Sequence, residues 1–79
     1  MKILHIGKKM RIENSKAFGE IVRTCRKNQG LTQTRLAAMA NTSARLIGEL
    51  EKGKPSLQLD KALKIAWLLG IKIEMQENG

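Results

Sequence analysis

The chain has 79 residues, enough for one domain, because two separate hydrophobic cores could not each bury enough surface at this length. Apolar residues make up 42% of the sequence, but only Phe18 and Trp67 are aromatic, so we expect a core of Leu, Ile, Ala and Met side chains, which favours helices. Residues 1–54 hold 12 of the 15 Lys and Arg and 4 of the 7 Asp and Glu, so this part carries the whole net charge of +8. We expect it to face a polyanion. Charge alone also fits a membrane surface or a solvated face.

The first half of the chain predicts an N-terminal arm followed by a helix. Residues 1–13 have one apolar cluster, Ile3, Leu4 and Ile6, and Gly7 would break a helix, which indicates a flexible or extended arm. A first helix follows, capped by Asn14 or Ser15 and continuing to about Asn28, because apolar residues recur there at three- and four-residue spacing. Gly30 is expected to end it in a left-handed conformation.

The next segment predicts two short helices joined by a tight turn. Thr32 caps the second helix, which ends near Met39, and Ser43 caps the third, which spans residues 44–52 and is closed by Gly53. Asn41 lies between them, and asparagine tolerates the positive φ that such a turn requires. Two helices joined so closely must cross steeply. The side chains expected to turn inward are Leu36, Ala37 and also Met39 from the second helix, and Leu46 or Ile47 with Leu50 from the third.

A fourth helix and a short strand are expected to follow. The helix ends at Leu69 and Gly70, and either Ser56 or Asp60 caps its start. Residues 71–75 alternate apolar and charged side chains, which is typical of a half-buried strand. This strand could pair with residues 2–6, but pairing with a second copy of the chain is the simpler arrangement. The expected dimer-interface residues are Trp67, Ile71, Ile73 and Met75, with core filling inside one subunit as the alternative for Trp67.

The inventory of reactive residues argues against an enzyme. His5 is the only histidine and Cys25 the only cysteine, so there is neither a cluster of metal ligands nor an internal disulfide. We therefore expect no catalytic residue, metal, cofactor or small-molecule ligand. The chain has no apolar run of about 20 residues and no typical signal peptide, and we expect a cytoplasmic protein, associated with the nucleoid when bound.

Part of the sequence resembles the Cro and phage-repressor (Xre-type) helix-turn-helix family. The residues that carry the resemblance are Gly30-Leu31-Thr32-Gln33, Leu36-Ala37, Asn41, Ser43, Ile47, Leu50-Glu51, Gly53 and Lys54. The resemblance implies a mainly all-α, lambda-repressor-like DNA-binding domain of four to five helices, here with a short C-terminal β-strand that pairs across a dimer. It further implies a structural salt bridge between Arg26 and Glu51. The expected division is an arm at 1–13, the helix-turn-helix domain at 14–70, and a dimerisation strand and tail at 71–79.

A more specific resemblance is to HipB-type antitoxins. It rests on Phe18-Gly19-Glu20-Ile21-Val22-Arg23, Arg26, Glu49-Leu50-Glu51-Lys52-Gly53-Lys54-Pro55, Leu59-Asp60-Lys61-Ala62-Leu63 and Leu69-Gly70-Ile71. This resemblance implies a bacterial homodimer that represses its own toxin-antitoxin operon and binds a HipA-type Ser/Thr kinase toxin. Two alternatives remain open: a free-standing repressor without a toxin, and an adaptor that binds protein or RNA.

The predicted DNA contacts follow from placing the third helix in the major groove of double-stranded DNA with an inverted-repeat operator. The residues expected at base edges are Ser43, Ala44, Arg45, Gly48 and Glu49. Arg45 is the strongest candidate, because a guanidinium can donate two parallel hydrogen bonds to guanine. For Glu49, a structural or repulsive role is an equal alternative to a cytosine contact. The residues expected at phosphates are Thr32, Gln33, Arg35, Lys52 and Lys54.

Overall fold

A computed structural model of the chain describes residues 2–5, 8–11, 14–54 and 59–74. The fold is mainly helical, and the described residues form four helices and three short strands. In chain order these are β1 (Lys2–His5), β2 (Lys8–Arg11), α1 (Ser15–Asn28), α2 (Gln33–Met39), α3 (Ala44–Glu51), α4 (Leu59–Leu68) and β3 (Lys72–Glu74). No helix within these ranges is both long enough and apolar enough to cross a membrane.

Side-chain caps determine where the first three helices begin. The Asn14 side chain accepts a hydrogen bond from the Ala17 amide at 2.8 Å, which starts α1. The hydroxyl groups of Thr32 and Ser43 accept from backbone amides three residues later and start α2 and α3. Each cap satisfies one amide that the first helical turn leaves without a partner. These three caps agree with those predicted from the sequence. The helix α4 begins at Leu59, so Asp60, one of its two predicted caps, lies inside the helix. The other predicted cap, Ser56, lies outside the described residues.

All four helices end in the same way. The second residue past each helix has positive φ, and the amide of the residue after it donates to the carbonyl five residues earlier, which is the Schellman motif. The positive-φ residues are Gly30, Asn41, Gly53 and Gly70. The amides that donate these hydrogen bonds belong to the residues that follow, Leu31, Thr42, Lys54 and Ile71. Asn41, with φ 55°, therefore makes the bend between α2 and α3 that the sequence predicts.

One hydrophobic core joins the helices. Its largest fully buried side chains are Val22, Cys25, Leu36, Ile47, Leu50 and Ile65. Gly19 lets α1 approach α3 closely: a Cβ atom at this position would overlap the Leu50 carbonyl oxygen and would lie 2.8 Å from the Glu51 carbonyl oxygen. The backbone crossing of α1 and α3 therefore depends on the missing side chain of Gly19.

One prediction about an inward-facing side chain is wrong, and the alternative position considered for Trp67 is excluded. Met39 is 39% exposed, because the inward stripe of α2 consists of Leu36, Ala37 and then Ala40. Trp67 is 76% exposed, so it does not fill the core of its own subunit. The inward stripe of α4 lies on another side of that helix and contains Ala62, Ile65 and Ala66, followed by Leu69.

The three strands form one antiparallel sheet in the order β2-β1-β3. The sequence predicts a flexible or extended arm at residues 1–13, but in the structure residues 2–5 and 8–11 pair as two strands. β3 pairs with β1 inside the same chain, because the first strands offer an edge for it, and its other edge has no partner among the described residues. Ile71 is only 5% exposed and packs in the core of its own subunit, which leaves little of its side chain for the dimer interface to which the sequence assigns it. Met75 lies outside the described residues.

Candidate nucleic-acid interface

The helix α3 has one buried face and one exposed face. Ile47, Leu50 and Glu51 are buried against α1 and α2, whereas the Arg45 side chain is 87% exposed. Ala44 is half-buried and packs against the edge of the core, and Gly48 is half-buried as well. The inward residues therefore hold the helix in place, while the first turns of α3 present a different set of residues to solvent.

An open groove of about 430 Å³ runs between the start of α2 and the exposed face of α3. Its lining brings together seven of the ten residues predicted to contact DNA: Gln33, Ala44, Arg45, Gly48, Glu49, Lys52 and Lys54. The remaining three, Thr32, Ser43 and Arg35, are exposed outside this lining. Thr32 and Ser43 use their hydroxyl oxygens as helix caps, and each hydroxyl keeps its own hydrogen to donate.

The one carboxylate in the groove lining is that of Glu49, and it lies between two cations. Its Oε2 accepts a hydrogen bond from Lys54 Nζ at 2.8 Å, and its Oε1 lies 3.6 Å from Arg45 Nε. The hydrogen bond from Lys54 and the positive charges nearby lower the pKa of the Glu49 carboxyl. Lys54 is therefore the main partner of Glu49, which the sequence alone did not reveal.

A buried polar network lies directly beneath the groove. Arg26 Nε lies 2.6 Å from Glu51 Oε2, Arg26 Nη2 lies 3.1 Å from Glu51 Oε1, and Arg26 Nη1 donates to the Leu31 carbonyl at 2.8 Å. The same Glu51 Oε1 accepts from Gln33 Nε2 at 3.1 Å. The hydrogen bonds that Arg26 donates to the Glu51 carboxylate raise the pKa of Arg26. This network joins the end of α3 both to α1 and to the first residue of α2, so it determines how the groove walls face each other.

A second hollow adjoins the groove and extends the cationic surface towards α1. It has a volume of about 250 Å³, and Arg23 and Lys52 contribute its exposed cations. Arg26 and Glu51 form part of its lining, so the buried network separates this hollow from the core. Arg23 therefore belongs to the same basic surface as the groove.

Sequence reasoning missed the hydrogen bond of Gln33 to Glu51 and the close approach at Gly19. Nothing in the sequence pointed to the first, because an amide at a helix start is also a common surface residue. The second had a signal: a glycine in the interior of a predicted helix lowers helix stability and often has a packing reason. No group of three potential metal ligands occurs within the part of the chain that the structure describes.

A capped two-helix unit with a tight turn, an exposed second helix and a cationic groove defines a helix-turn-helix DNA-binding domain. The chain belongs to the helix-turn-helix family, whose HTH_3 profile matches residues 22–75. It is also 39% identical over 69 residues to the uncharacterized HTH-type transcriptional regulator y4mF of Sinorhizobium fredii (strain NBRC 101917 / NGR234). The matched region covers 87% of this chain and 91% of that relative. The family supports DNA binding of the transcription-regulator type and points away from an enzyme.

Proposed function

We propose that this protein is a transcriptional repressor that binds an inverted-repeat operator as a homodimer, with α3 in the major groove. The observation that carries the proposal is the groove beside α3, which is lined by Arg45 near the start of the helix and by Lys52 and Lys54 just past its end. The relative from Sinorhizobium fredii is named a transcriptional regulator, which supports the same function.

Base recognition is assigned to the first two turns of α3, from Ser43 to Glu49. The Arg45 side chain is 87% exposed, and a bidentate contact to guanine is worth about 1–3 kcal/mol of discrimination. Ala44 and Gly48 carry no side-chain donors, so they permit close approach to the base pairs. Glu49 would accept from cytosine N4 with the carboxylate lone pairs that Lys54 and Arg45 do not use.

Backbone contacts are assigned to residues on both sides of α3. Lys52 and Lys54 follow the helix, while Thr32, Gln33 and Arg35 lie at the start of α2. Gln33 donates one N–H of its amide to Glu51, and the second N–H of the same nitrogen is the donor assigned to a phosphate oxygen. Such contacts position a protein on DNA without reading its sequence.

Dimerisation is assigned to α4 and β3. Three exposed apolar side chains lie four residues apart along α4, namely Leu59, Leu63 and Trp67, and this spacing places them on one stripe. The second edge of β3 has unpaired backbone groups among the described residues, and an edge of this kind readily pairs with a second copy. Ile73 and Met75 remain assigned to this interface. The two copies of α3 would then lie about 34–36 Å apart, one turn of DNA.

DNA recognition can be tested by selecting preferred duplexes from a random library and then comparing Arg45→Glu with the matched charge reversal Lys64→Glu on the exposed side of α4. We expect an inverted repeat to be selected, Arg45→Glu to abolish the preference, and Lys64→Glu to retain it. If the full chain has no measurable duplex affinity, or if Arg45→Glu selects the same operator, the proposal is wrong.

Dimerisation can be tested by sedimentation, with Trp67 fluorescence as a second readout, because Trp67 is the only tryptophan. We expect a dimer whose dissociation exposes Trp67 to quenching by acrylamide. Replacing Trp67 with Ala should weaken dimerisation, while the same change at Lys61, an exposed α4 residue, should not. A chain that stays monomeric at the concentrations at which it binds DNA would contradict the dimer.

The antitoxin role is the finer proposal, and it rests on the resemblance to HipB-type antitoxins. It assigns a HipA-type Ser/Thr kinase toxin as the protein partner. An adjacent kinase-like gene, whose product copurifies with this chain and is less toxic in its presence, would support the role. A gene with no such neighbour would favour the free-standing repressor, and preference for RNA over duplex DNA would favour the adaptor.

A further inference from the structure

The register of the three-stranded sheet separates its charged residues onto one face. Residues directly opposite each other in an antiparallel pair lie on the same face, as do residues two apart in one strand. The pairs Lys2↔Arg11 and Leu4↔Lys9 join β1 to β2, and the pairs Lys2↔Glu74 and Leu4↔Lys72 join β1 to β3. The face defined by these pairs, here called the basic sheet face, contains Lys2, Leu4, Lys9, Arg11, Lys72 and Glu74.

The opposite face has a different composition. Its central row consists of Ile3, Met10 and Ile73, which are opposed in register across all three strands. Beyond this row lies the pair of His5 and Lys8. Antiparallel sheets commonly cover one face and leave the other in water. Lys72 lies on the basic sheet face and is exposed, which identifies this face as the solvated one.

The basic sheet face concentrates like charge in a small area. Neighbouring strands lie about 4.8 Å apart and residues two apart in a strand about 6.8 Å, so the four cations fall within roughly 10 Å by 7 Å of backbone. Lys2 and Arg11 are directly opposite, which is unfavourable for like charges. Glu74 is the one acidic residue on this face within the described strands. The arrangement costs stability in the free protein, and an external polyanion would offset that cost.

We propose that the basic sheet face is a second phosphate-binding surface, which contacts the DNA backbone outside the groove beside α3. This proposal rests on the proposed function, because duplex DNA is the polyanion that a helix-turn-helix protein already holds. The cations of the sheet have the same sign as those of the groove, so both surfaces attract the same ligand. The contact would add affinity and salt dependence without adding base recognition.

Two double variants with the same change in net charge test the proposal. Lys9→Gln with Lys72→Gln removes the two cations on either side of Leu4 on the basic sheet face. Lys8→Gln with Lys64→Gln is the matched control, because Lys8 lies on the opposite face of β2 and Lys64 is an exposed residue of α4. Thermal unfolding followed by circular dichroism verifies that both variants fold.

The measurement is the affinity for a labelled mixed-sequence duplex of about 40 base pairs, titrated between about 50 and 200 mM salt. Each phosphate contact contributes about 0.9 to the slope of log affinity against log salt concentration. We expect the slope to decrease by about 1.8 per protomer in the Lys9 and Lys72 variant and to stay at the parent value in the control.

Equal slopes for the two variants would overturn the proposal while leaving the repressor function intact. Poly-glutamate serves as a second probe, which stands for an acidic protein. If the Lys9 and Lys72 variant no longer binds poly-glutamate but keeps the parent salt slope with duplex DNA, the proposal is also overturned, since the face would then serve an acidic protein. Failure of the parent chain to bind any duplex is a different result, because it contradicts the proposed function itself.

Discussion

Arg26 in α1 and Glu51 at the end of α3 form a buried two-point ion pair, with Nε 2.6 Å from Oε2 and Nη2 3.1 Å from Oε1. Both side chains are almost completely excluded from water. Breaking a buried pair by removing one partner leaves an uncompensated charge. Removing one partner is therefore expected to cost more stability than the attraction between the two charges contributes, because the other charge stays buried without a partner.

Glu51→Ala should lower the free energy of unfolding by about 3–5 kcal/mol, because Arg26 would stay buried without its carboxylate partner. Urea denaturation measures this change. Glu20→Ala is the control, since Glu20 is an exposed glutamate of α1, and its effect should stay within about 0.5 kcal/mol. A Glu51→Ala variant as stable as the parent would contradict the structural role of the pair.

Two glycine substitutions should change stability in opposite directions. Gly19→Ala places a methyl group against the Leu50 and Glu51 carbonyl oxygens, so α1 and α3 must separate, at a cost of about 1–3 kcal/mol. Gly48→Ala meets only the Gln33 side chain, at 3.7 Å, and should stabilise α3 by about 0.5–1 kcal/mol. Chemical denaturation of the two variants gives both values, and a Gly19→Ala variant as stable as Gly48→Ala would refute the close approach.

The pKa of the Glu49 carboxyl should lie below its ordinary value and should rise when Lys54 is replaced by Gln, because Lys54 is the main cause of the shift. A lowered pKa in the folded state means that the ion pair contributes to stability above the unfolded pKa and loses this contribution as the pH falls through the folded value. A carboxyl-carbon NMR titration measures the pKa of Glu49 in the folded parent and in the folded Lys54→Gln variant. Lys64→Gln serves as the control and should leave the pKa of Glu49 unchanged.

Cys25 should react with thiol reagents only after the protein unfolds. Its side chain is fully buried, and burial raises the pKa of the thiol to about 11. Since the unfolded thiol ionises near pH 8.5, unfolding releases a proton between about pH 8.5 and 11, and stability falls as the pH rises through this range. Cys25→Ala should remove that part of the pH dependence. Rapid labelling of the native chain at pH 7 would show that the thiol is accessible.

The helices could be predicted from the sequence because their ends depend on local chemistry. Asn14, Thr32 and Ser43 cap their helices through contacts three residues away, and Gly30 and Asn41 provide the positive φ that ends a helix. Capping preferences and left-handed conformations are properties of single residues and their nearest neighbours. The ends of these helices can therefore be predicted almost completely from the sequence.

Features that depend on distant parts of the chain could not be predicted in the same way. Trp67 and Ile71 are separated by four residues, yet one is exposed and the other is buried, and apolar character alone does not distinguish them. The register of β1 against β2 and β3 also depends on pairing between both ends of the chain.

The candidate site could be predicted better than the sheet. Seven of the ten predicted DNA contacts line one groove, because a helix start and the exposed face of the next helix are local features.

The separation of α3 into a buried face and an exposed face has an evolutionary consequence. Ile47 and Leu50 hold the helix in the core, while Arg45 and Glu49 lie on the outside. If α3 reads DNA as proposed, substitutions at the outer positions would change the preferred DNA sequence and leave the core contacts of Ile47 and Leu50 in place. A lineage that carries this domain would then acquire a new target site in few steps, each of which keeps the same core.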